Sequence, residues 1–362
     1  MTAPLARRLL RWFDRHGRTG LPWQRASASG HREPYRVWLS EVMLQQTQVS
    51  VVIGYFERFI RALPTLRALA AAEEDTVLAL WSGLGYYRRA RFLQRAAQQC
   101  VQQHGGELPR DFIALSALPG IGRSTAGAIL AQAHGLRFAI LDGNVKRVLA
   151  RYHGIHGHPG QSAVEQQLWQ LAETHTPTTR VADYTQAIMD LGATLCTRSH
   201  PQCARCPVSS GCVALCDGLT TTLPEAKPKR ALPTRATAML IVRDAQGRVL
   251  LERRPPTGVW ARLWSLPEVD NGASALGHLR ERYAVHVDTT AALDRFVHTF
   301  SHYHLQVTPL LFTGAATDHR VADDPDRGWY SHGQFTALGL PAPVRKLLET
   351  LEESQWLATS TA

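Results

Sequence analysis

The sequence predicts a chain of several domains, in which an all-α region is followed by a smaller α+β region. Apolar residues recur at helical spacing from residue 5 to residue 191. The composition then shifts to Thr, Pro and Lys, and the residues beyond alternate in polarity as β-strands do. We therefore expect an all-α domain over 1–216, a linker over 217–234 and an α+β domain over 235–362.

Composition limits the class of partner. The chain has 362 residues, 40 Lys and Arg against 30 Asp and Glu, and a net charge of +10. That excess suits a polyanion such as nucleic acid. We find no signal-peptide core and no run near the roughly 20 apolar residues of a membrane span, so we expect no membrane partner. The expected location is cytoplasmic, associated with the nucleoid in a bacterium.

Three helices are predicted in the first sixty residues, with apolar faces at Leu5 to Phe13, Tyr35 to Met43 and Val49 to Leu63. Gln45, Gln46 and Thr47 separate the second from the third, and Thr47 suits the cap of the helix that follows. Uncharged polar residues at such a corner form either a solvated turn or a wedge that fills a gap in a base stack.

A further helix is predicted from Ala70 to Trp81, where Gly83 and Gly85 break it. The next helix opens at Tyr86 with two tyrosines and three arginines. This pattern favours stacking on bases and contacts to phosphates. A buried tyrosine beside a solvated basic face would give the same pattern.

The stretch LPGIGRSTAGAIL, residues 118–130, predicts a helix, a tight hairpin and a second helix. Pro119 ends the first helix, and Gly120 and Gly122 permit the turn. The second helix then presents its N-terminal N–H groups, which bind phosphate without reading bases. An ordinary structural turn is the alternative.

Asp142 stands where it would cap a helix that runs from Val145 to Arg151. Two more helices are predicted, from Val164 to Thr174 and from Val181 to Leu191.

Four of the six cysteines follow these helices with the spacing C-x6-C-x2-C-x5-C. In a reducing compartment such crowding indicates a metal or cluster rather than disulfides. The spacing favours a 4Fe-4S cluster with a structural role, and zinc is the alternative. The expected ligands are Cys196, Cys203, Cys206 and Cys212.

Beyond the linker, strands are predicted from Thr237 to Val242, from Arg248 to Glu252 and in pairs from Phe296 to Phe312. A helix from Val344 to Leu351 closes the domain. Three histidines alternate in this region, but they have no nearby carboxylate or cysteine, so we do not read them as a metal site.

Together, LPGIG, LDGNVKR at 141–147 and the cysteine spacing resemble the helix-hairpin-helix DNA glycosylase superfamily. SEVMLQQTQV at 40–49 and GLGYYRRAR at 83–91 resemble its adenine glycosylase branch, the MutY family. The resemblance covers essentially the whole chain and implies a C-terminal domain similar to the Nudix fold. Within 1–216 it implies a six-helix barrel at about 25–133 and an iron-sulfur subdomain from 1–24 plus 134–216.

The resemblance also implies the chemistry. Glu41 would protonate N7 of a flipped adenine and later activate water, while Asp142 would stabilise the sugar cation or capture it briefly, with help from Asn144. Endonuclease III, a related family, has a nucleophilic lysine at the position of Ser124, so this chain is expected to be monofunctional. Apolar neighbours should raise the pKa of Glu41, whereas the helix N-terminus should keep Asp142 ionised.

By the same resemblance, the remaining site residues fall into three groups. The adenine pocket would be formed by Leu21, Trp23, Gln24 and Gln186. Gln46 and Tyr86 would be the wedge, with further DNA contacts at Gln45, Leu118, Gly120, Gly122 and Arg147. An opposing 8-oxoguanine would be read by Phe300, Ser301 and His302.

The implied partner is double-stranded DNA with an A:8-oxoguanine or A:G mispair, bound by a monomer that carries one 4Fe-4S cluster. Contacts with a replication clamp or mismatch-repair proteins fit a repair enzyme, although no motif establishes them. Alternatives are an endonuclease III-like glycosylase for oxidised pyrimidines and a catalytically silent mispair-binding protein. Nucleotide hydrolysis by the C-terminal half is disfavoured, because Glu268 and Glu281 stand isolated.

Overall fold

The protein is described by a computed structural model that covers residues 4–25, 32–227, 231–270, 274–287, 289–317 and 324–359. The chain divides into two compact units. The first consists of Met1–Ala71 and Phe92–Lys229, and the second of Ala72–Arg91 and Arg230–Ala362. No helix within the described ranges is long and apolar enough to span a membrane. The predicted linker includes residues 228–230, which lie outside the described residues.

The first unit is all-α, as predicted. Its helices are α1 (Pro4–His16), α2 (Pro34–Leu44), α3 (Val49–Ala62), α4 (Leu66–Ala71), α6 (Arg88–Gln103, from Phe92 onward), α7 (Phe112–Ser116), α8 (Arg123–His134), α9 (Gly143–His153), α10 (Ser162–His175), α11 (Val181–Thr194) and α12 (Val213–Cys216). The helix α5 (Glu74–Trp81) belongs to the second unit.

Helix α8 is the centre of the first unit and packs on α2, α7 and α11. Every residue from Ala126 to Ala133 is buried, because small side chains let neighbouring helices approach closely. A Cβ atom at Gly127 would lie 2.5 Å from the carbonyl oxygen of Ala139, so only glycine fits there. The helix therefore holds its neighbours at fixed positions around the candidate site.

The second unit is built on a mixed sheet. Its strands are β1 (Thr234–Asp244), β2 (Val249–Arg253), β3 (Trp264–Ser265), β4 (Glu268–Asp270), β5 (Val285–His286), β6 (Thr289–Ala292), β7 (Phe296–Thr299), β8 (His304–Thr317) and β9 (Arg327–Tyr330). The strand order is β3-β2-β1-β8-β5. At its centre, β1 and β8 are parallel, and Thr234 pairs with His304 at the start of the two strands. The remaining strands pair at β1, β2 or β8.

A helix covers each face of this sheet, because successive side chains of a strand point to opposite faces. Met239 and Ile241 pack with Val344 and Leu348 of α14 (Ala342–Thr359). Leu240 and Val242 pack with Leu279 and Tyr283 of α13 (Ala275–Tyr283). The predicted α+β class of this domain is confirmed.

Residues 72–91 lie within the second unit, although the sequence places them among the helices of the first. The Tyr87 hydroxyl donates to the carbonyl oxygen of Leu340 at 2.9 Å. Asp75 accepts from Arg253 at 2.5 Å, and Arg262 Nε lies 3.2 Å from Glu74. Hydrogen bonds and ion pairs therefore hold this segment against the C-terminal domain.

Two local predictions need correction. The helix expected from Ala70 to Trp81 is two helices, since α4 ends at Ala71 and α5 begins at Glu74. Thr47 does not cap α3: Gln48 is its N-cap residue, and the Thr47 hydroxyl donates to the carbonyl oxygen of Gln45 instead.

Candidate active site and nucleic-acid interface

Glu41 lies in the last turns of α2 and is partly buried. Its Oε1 atom accepts a hydrogen bond from the Gln132 side-chain amide at 2.8 Å. Burial raises the pKa of Glu41 to about 7, and the charge of Asp142 acts in the same direction. Gln132 and the charge of Arg32 oppose the shift. The pKa of Glu41 is thus raised, in the direction predicted, so that a large share of this carboxyl group is protonated near neutral pH.

Asp142 is the N-cap residue of α9, where its Oδ1 atom accepts from the Val145 backbone N–H at 2.7 Å. The Asn144 side-chain amide lies 3.5 Å from Oδ2 of the same carboxylate. The Ser124 hydroxyl accepts a hydrogen bond at 2.9 Å from the backbone N–H of Leu141, the residue that precedes Asp142. Ser124 therefore ties α8 to the segment that carries Asp142.

The helix N-terminus does not set the direction of the pKa shift of Asp142, and the ionised state expected for this residue stays a prediction. Burial raises its pKa, and this effect outweighs the hydrogen bonds from Val145 and Asn144, which lower it. A helix N-terminus stabilises a carboxylate by only about 0.3–1 kcal/mol, whereas loss of hydration costs more. Glu41 and Asp142 are therefore two partly buried carboxyl groups close enough for their charges to interact.

Two residues of the predicted adenine pocket, Trp23 and Gln24, lie in a short helix that packs against α2. Trp23 is buried in the short 3-10 helix Pro22–Gln24 and packs edge-on against Phe56. The Gln24 amide donates to Gln186 Oε1 at 3.0 Å, and its own oxygen accepts from the Leu21 backbone N–H at 3.1 Å. The structure therefore brings Leu21, Trp23, Gln24 and Gln186 together.

Asp190 holds the Gln186 side chain of this amide pair in place. The Gln186 amide donates to Asp190 Oδ1 at 2.8 Å. Arg18 binds the same carboxylate through its backbone N–H at 2.7 Å and its guanidinium at 2.7 Å. Since Asp190 is fully buried, this set of hydrogen bonds fixes the orientation of Gln186.

The predicted hairpin lies between α7 and α8. Gly120 has φ +78°, and a Cβ atom there would lie 2.9 Å from Cβ of Phe92. Gly122 is the N-cap residue of α8 and has no side chain that could bind the first N–H groups of this helix. These N–H groups are therefore available for an anion. Leu118 is buried and anchors the hairpin, so any DNA contact there belongs to its backbone.

Both predicted wedge residues have a left-handed backbone. Gln46 has φ +59° and is exposed, and Tyr86 has φ +50° and is 51% exposed. Residues other than glycine adopt this conformation at a cost of order 1–3 kcal/mol, and it is concentrated at functional sites. The role of these two residues as a wedge stays a prediction.

The four cysteines of the predicted cluster follow α11, and all four are free thiols. Burial raises the pKa of Cys206 to about 11, and the charges of the other three thiols add to the shift. Within the described ranges, no group of three or more His, Cys, Asp or Glu is arranged to hold a metal ion. The four thiols nevertheless lie close enough to interact electrostatically.

Two arginines of α9 connect that helix to the cysteine segment. Arg151 lies 3.4 Å from Cys196 Sγ and donates to the Thr197 carbonyl oxygen at 2.7 Å. Arg147 donates to the carbonyl oxygens of Cys196 and Gly192, both at 2.7 Å. Arg147 is half-buried in these contacts, and its direct binding of DNA stays a prediction.

The predicted lesion-reading residues form an aromatic group in the second unit. The Phe300 ring lies 5.0 Å from that of Trp260 and 4.7 Å from that of Tyr303. Ser301 and His302 follow Phe300 and are exposed. Trp260 has φ +55°, and its ring also contacts His298. An exposed Ser-His pair thus stands beside packed aromatic rings.

Sequence reasoning missed Arg32, Gln132, Asp190 and Trp260. Gln132 interrupts an apolar helix face and is 5% exposed, a pattern that signals a buried amide with a partner. Asp190 is likewise a charged residue inside a buried helix. No local pattern distinguishes Arg32 or Trp260.

Comparisons with known proteins identify the family and the two domains of this chain. The chain matches the family models "HhH-GPD superfamily base excision DNA repair protein" over residues 39–174 and "NUDIX domain" over residues 238–350. The adenine DNA glycosylase of Buchnera aphidicola subsp. Acyrthosiphon pisum is 35% identical over 346 residues, 96% of this chain and 97% of that protein. The adenine DNA glycosylase of Homo sapiens is 36% identical over 96% of this chain and 74% of its own length.

Among solved structures, a thermostable thymine-DNA glycosylase aligns with a TM-score of 0.52 and 25% identity, over 59% of this chain and 95% of that chain.

Proposed function

This chain belongs to the adenine DNA glycosylase family, and from that premise we propose that it removes adenine paired with 8-oxoguanine or guanine. Membership makes it a DNA N-glycosylase of base excision repair, with DNA as its ligand. The observation that carries the finer proposal is the partly buried pair Glu41 and Asp142, whose charges interact and in which Glu41 has a pKa of about 7.

We assign different roles to the two carboxyl groups. An N-glycosidic bond breaks through an oxocarbenium-like sugar, so the base must leave neutral and the ring charge must be stabilised. Glu41 protonates adenine N7, because its pKa of about 7 leaves a large share of it protonated near neutral pH. Asp142 faces the sugar cation, whose positive charge favours the ionised carboxylate that burial alone disfavours. Glu41 then accepts a proton from the attacking water.

Adenine is recognised by the amide pair. The base leaves the stack at a cost of a few kcal/mol and enters beside Trp23. Amides of glutamine match the donor and acceptor edge of adenine. Gln24 and Gln186 exchange their mutual hydrogen bond for the base, while Leu21 and Asp190 keep each amide anchored.

The reaction ends with base removal. Strand cleavage by a Schiff base requires an amine at the sugar. Ser124 stands where endonuclease III has its lysine, and its hydroxyl is bound to the Leu141 backbone. The hydroxyl therefore organises the segment before Asp142 rather than attacking DNA.

The remaining surfaces hold the duplex. The hairpin at Gly120 and Gly122 binds a phosphate, and the strained Gln46 and Tyr86 enter the stack. Phe300, Ser301 and His302 read the orphaned 8-oxoguanine. One chain carries every one of these parts, which supports action as a monomer.

The four thiols fit a 4Fe-4S cluster as a donor set, since all are free and their charges interact. Cys196, Cys203, Cys206 and Cys212 would hold it, and Arg151 fixes that segment to α9. The cluster would supply a rigid structural staple. We expect about four iron atoms per chain and no zinc. Cys203→Ser should lose the iron, and Cys216→Ser, a change at an exposed cysteine outside the four, should keep it. One zinc per chain would contradict this assignment.

Single-turnover base release from matched duplexes tests the proposed substrate. The duplexes carry A opposite 8-oxoguanine, G or T, or thymine glycol opposite A, each with and without hot alkali. We expect adenine release opposite 8-oxoguanine and G, none opposite T, and strand breaks only after alkali. Thymine glycol release with spontaneous nicking would indicate an endonuclease III-like enzyme, and tight binding without release would indicate a silent binder.

A further inference from the structure

A relay of two side chains ends on the Glu41 carboxyl group. Arg32 NH1 donates to Gln132 Oε1 at 2.7 Å, and Gln132 Nε2 donates to Glu41 Oε1 at 2.8 Å. We propose that Gln132, oriented by Arg32, is a positioning residue that keeps the acidic proton of Glu41 on Oε2. The proposal rests on the role of Glu41 given above.

Arg32 decides which way the Gln132 amide points. A guanidinium group has only N–H donors, so it binds the amide oxygen and never the amide nitrogen. The amide nitrogen of Gln132 must then face Glu41. The two orientations of the amide are therefore not equivalent, and Arg32 selects one.

This orientation distinguishes the two oxygens of Glu41. The amide N–H needs an acceptor, and the carbonyl oxygen of a protonated carboxyl group accepts better than its hydroxyl oxygen does. Gln132 is 5% exposed, so water competes little for that N–H. Oε1 therefore keeps the carbonyl character, and the proton resides on Oε2, the oxygen left to face the base.

The relay also lowers the pKa of Glu41. Asp142 at the start of α9 raises the pKa of Glu41, while Gln132 from α8 and Arg32 from the segment before α2 lower it. Burial lowers the pKa of Arg32, and the charges of Asp183, Glu41 and Asp190 oppose that shift. Gln132 thus keeps burial and Asp142 from raising the pKa of Glu41 further.

Gln132→Leu keeps the side-chain volume and removes the amide. Single-turnover adenine release from an A:8-oxoguanine duplex is measured from pH 5 to pH 9 for the full chain. Because Glu41 acts in its protonated form, the rate falls as pH rises through its pKa. We expect the low-pH plateau to drop roughly ten-fold, as misplacement of a catalytic group does. The falling limb should move to higher pH, since a hydrogen bond that lowers the pKa is gone.

Arg32→Met tests the other end of the relay at a partly exposed position, and we expect the same two changes with smaller size. Gln103→Leu is the matched control, because it removes an amide from an exposed end of α6 in the same unit. Its pH profile should match that of the wild type.

Wild-type profiles for both relay variants would overturn the proposal, and so would a uniform loss of rate without movement of the falling limb. A Gln132→Leu protein that does not fold leaves Arg32→Met as the deciding variant. Glu41→Gln separates the two ideas. If Glu41→Gln keeps near-wild-type activity, the proposed function of Glu41 fails; if it is inactive while the relay variants are normal, only the relay fails.

Discussion

Glu41 and Asp142 are both carboxyl groups that are partly removed from water. Burial raises the pKa of both. What distinguishes them is their hydrogen bonds. Asp142 accepts from the Val145 backbone, a bond that favours the carboxylate, and Glu41 accepts only the amide of Gln132 in the contacts described above. The backbone hydrogen bond therefore favours the ionised form of Asp142, which fits the role of charge stabiliser proposed for it, whereas the raised pKa of Glu41 fits the proposed role of acid.

Asp142→Asn tests the electrostatic role of this residue apart from its role in the fold. Asn caps a helix as well as Asp does, so we expect the melting temperature to change little. The negative charge opposite the sugar is lost, and the single-turnover rate should fall on the order of 10²–10³-fold.

Asp142→Ala is the companion variant, because it removes the cap as well and should cost about 1 kcal/mol of unfolding free energy. An Asp142→Asn rate within a factor of about two of the wild type would rule out a charge effect of the size given above.

The sequence indicated the candidate site residues but not the residues that hold them in place. Glu41, Gln24 and Gln186 stand in recognisable motifs, and the structure places Gln24 against Gln186. Gln132 lies 91 residues from Glu41, and no periodicity reveals such a pair. The pKa of Asp142 could not be predicted either, because burial depends on the packing of distant helices.

At the scale of elements, the hairpin before α8 is set by local chemistry. Its two glycines serve different needs. Gly120 requires a positive φ and leaves no space for a side chain against Phe92. Gly122 has φ −86° and nothing within 4 Å of an added Cβ atom.

We therefore expect Gly120→Ala to lower the unfolding free energy by about 1–3 kcal/mol and to weaken DNA binding, because the turn must distort. Urea unfolding and fluorescence titration with a labelled duplex measure both effects. Gly122→Ala is the matched control and should cost well under about 1 kcal/mol. Equal effects of the two changes would show that backbone conformation is not what Gly120 provides.

Elements that depend on long-range pairing could not be predicted from the sequence. The short strands β3 and β4 pair with β2 and β1, and neither has enough residues for an alternating pattern. Helix α13 carries four charged or histidine side chains among nine residues, and its apolar face is narrow. By contrast, β1 was predicted because its buried run is long.

At the scale of the whole molecule, the division into units does not follow the order of the chain. Residues 72–91 pack with the C-terminal domain through Tyr87, Asp75 and Glu74. Leu78 is 1% exposed there, and a Cβ atom at Gly339 would lie 2.7 Å from its Cβ atom. The Nudix-like domain therefore stabilises a segment that carries Tyr86, a predicted wedge residue.

A chain shortened to residues 1–229 should consequently lose order in 72–91. In the full chain Arg91 binds the carbonyl oxygen of Pro256 and Arg89 binds that of Gly85. We expect trypsin to cut after Arg88, Arg89 or Arg91 at least ten-fold faster in the shortened chain, since cleavage follows the population of open segments. Cleavage after the exposed Arg110 is the internal control. Equal rates at both sites would show that the segment keeps its fold alone.

The central claim is that Glu41 supplies the proton that releases adenine. Glu41→Gln keeps the size and hydrogen-bonding capacity of the side chain but cannot act as the acid. We measure single-turnover adenine release from an A:8-oxoguanine duplex together with binding of the same duplex. The account predicts a loss of rate of about 10²–10⁴-fold with binding retained. Release at near the wild-type rate would contradict it.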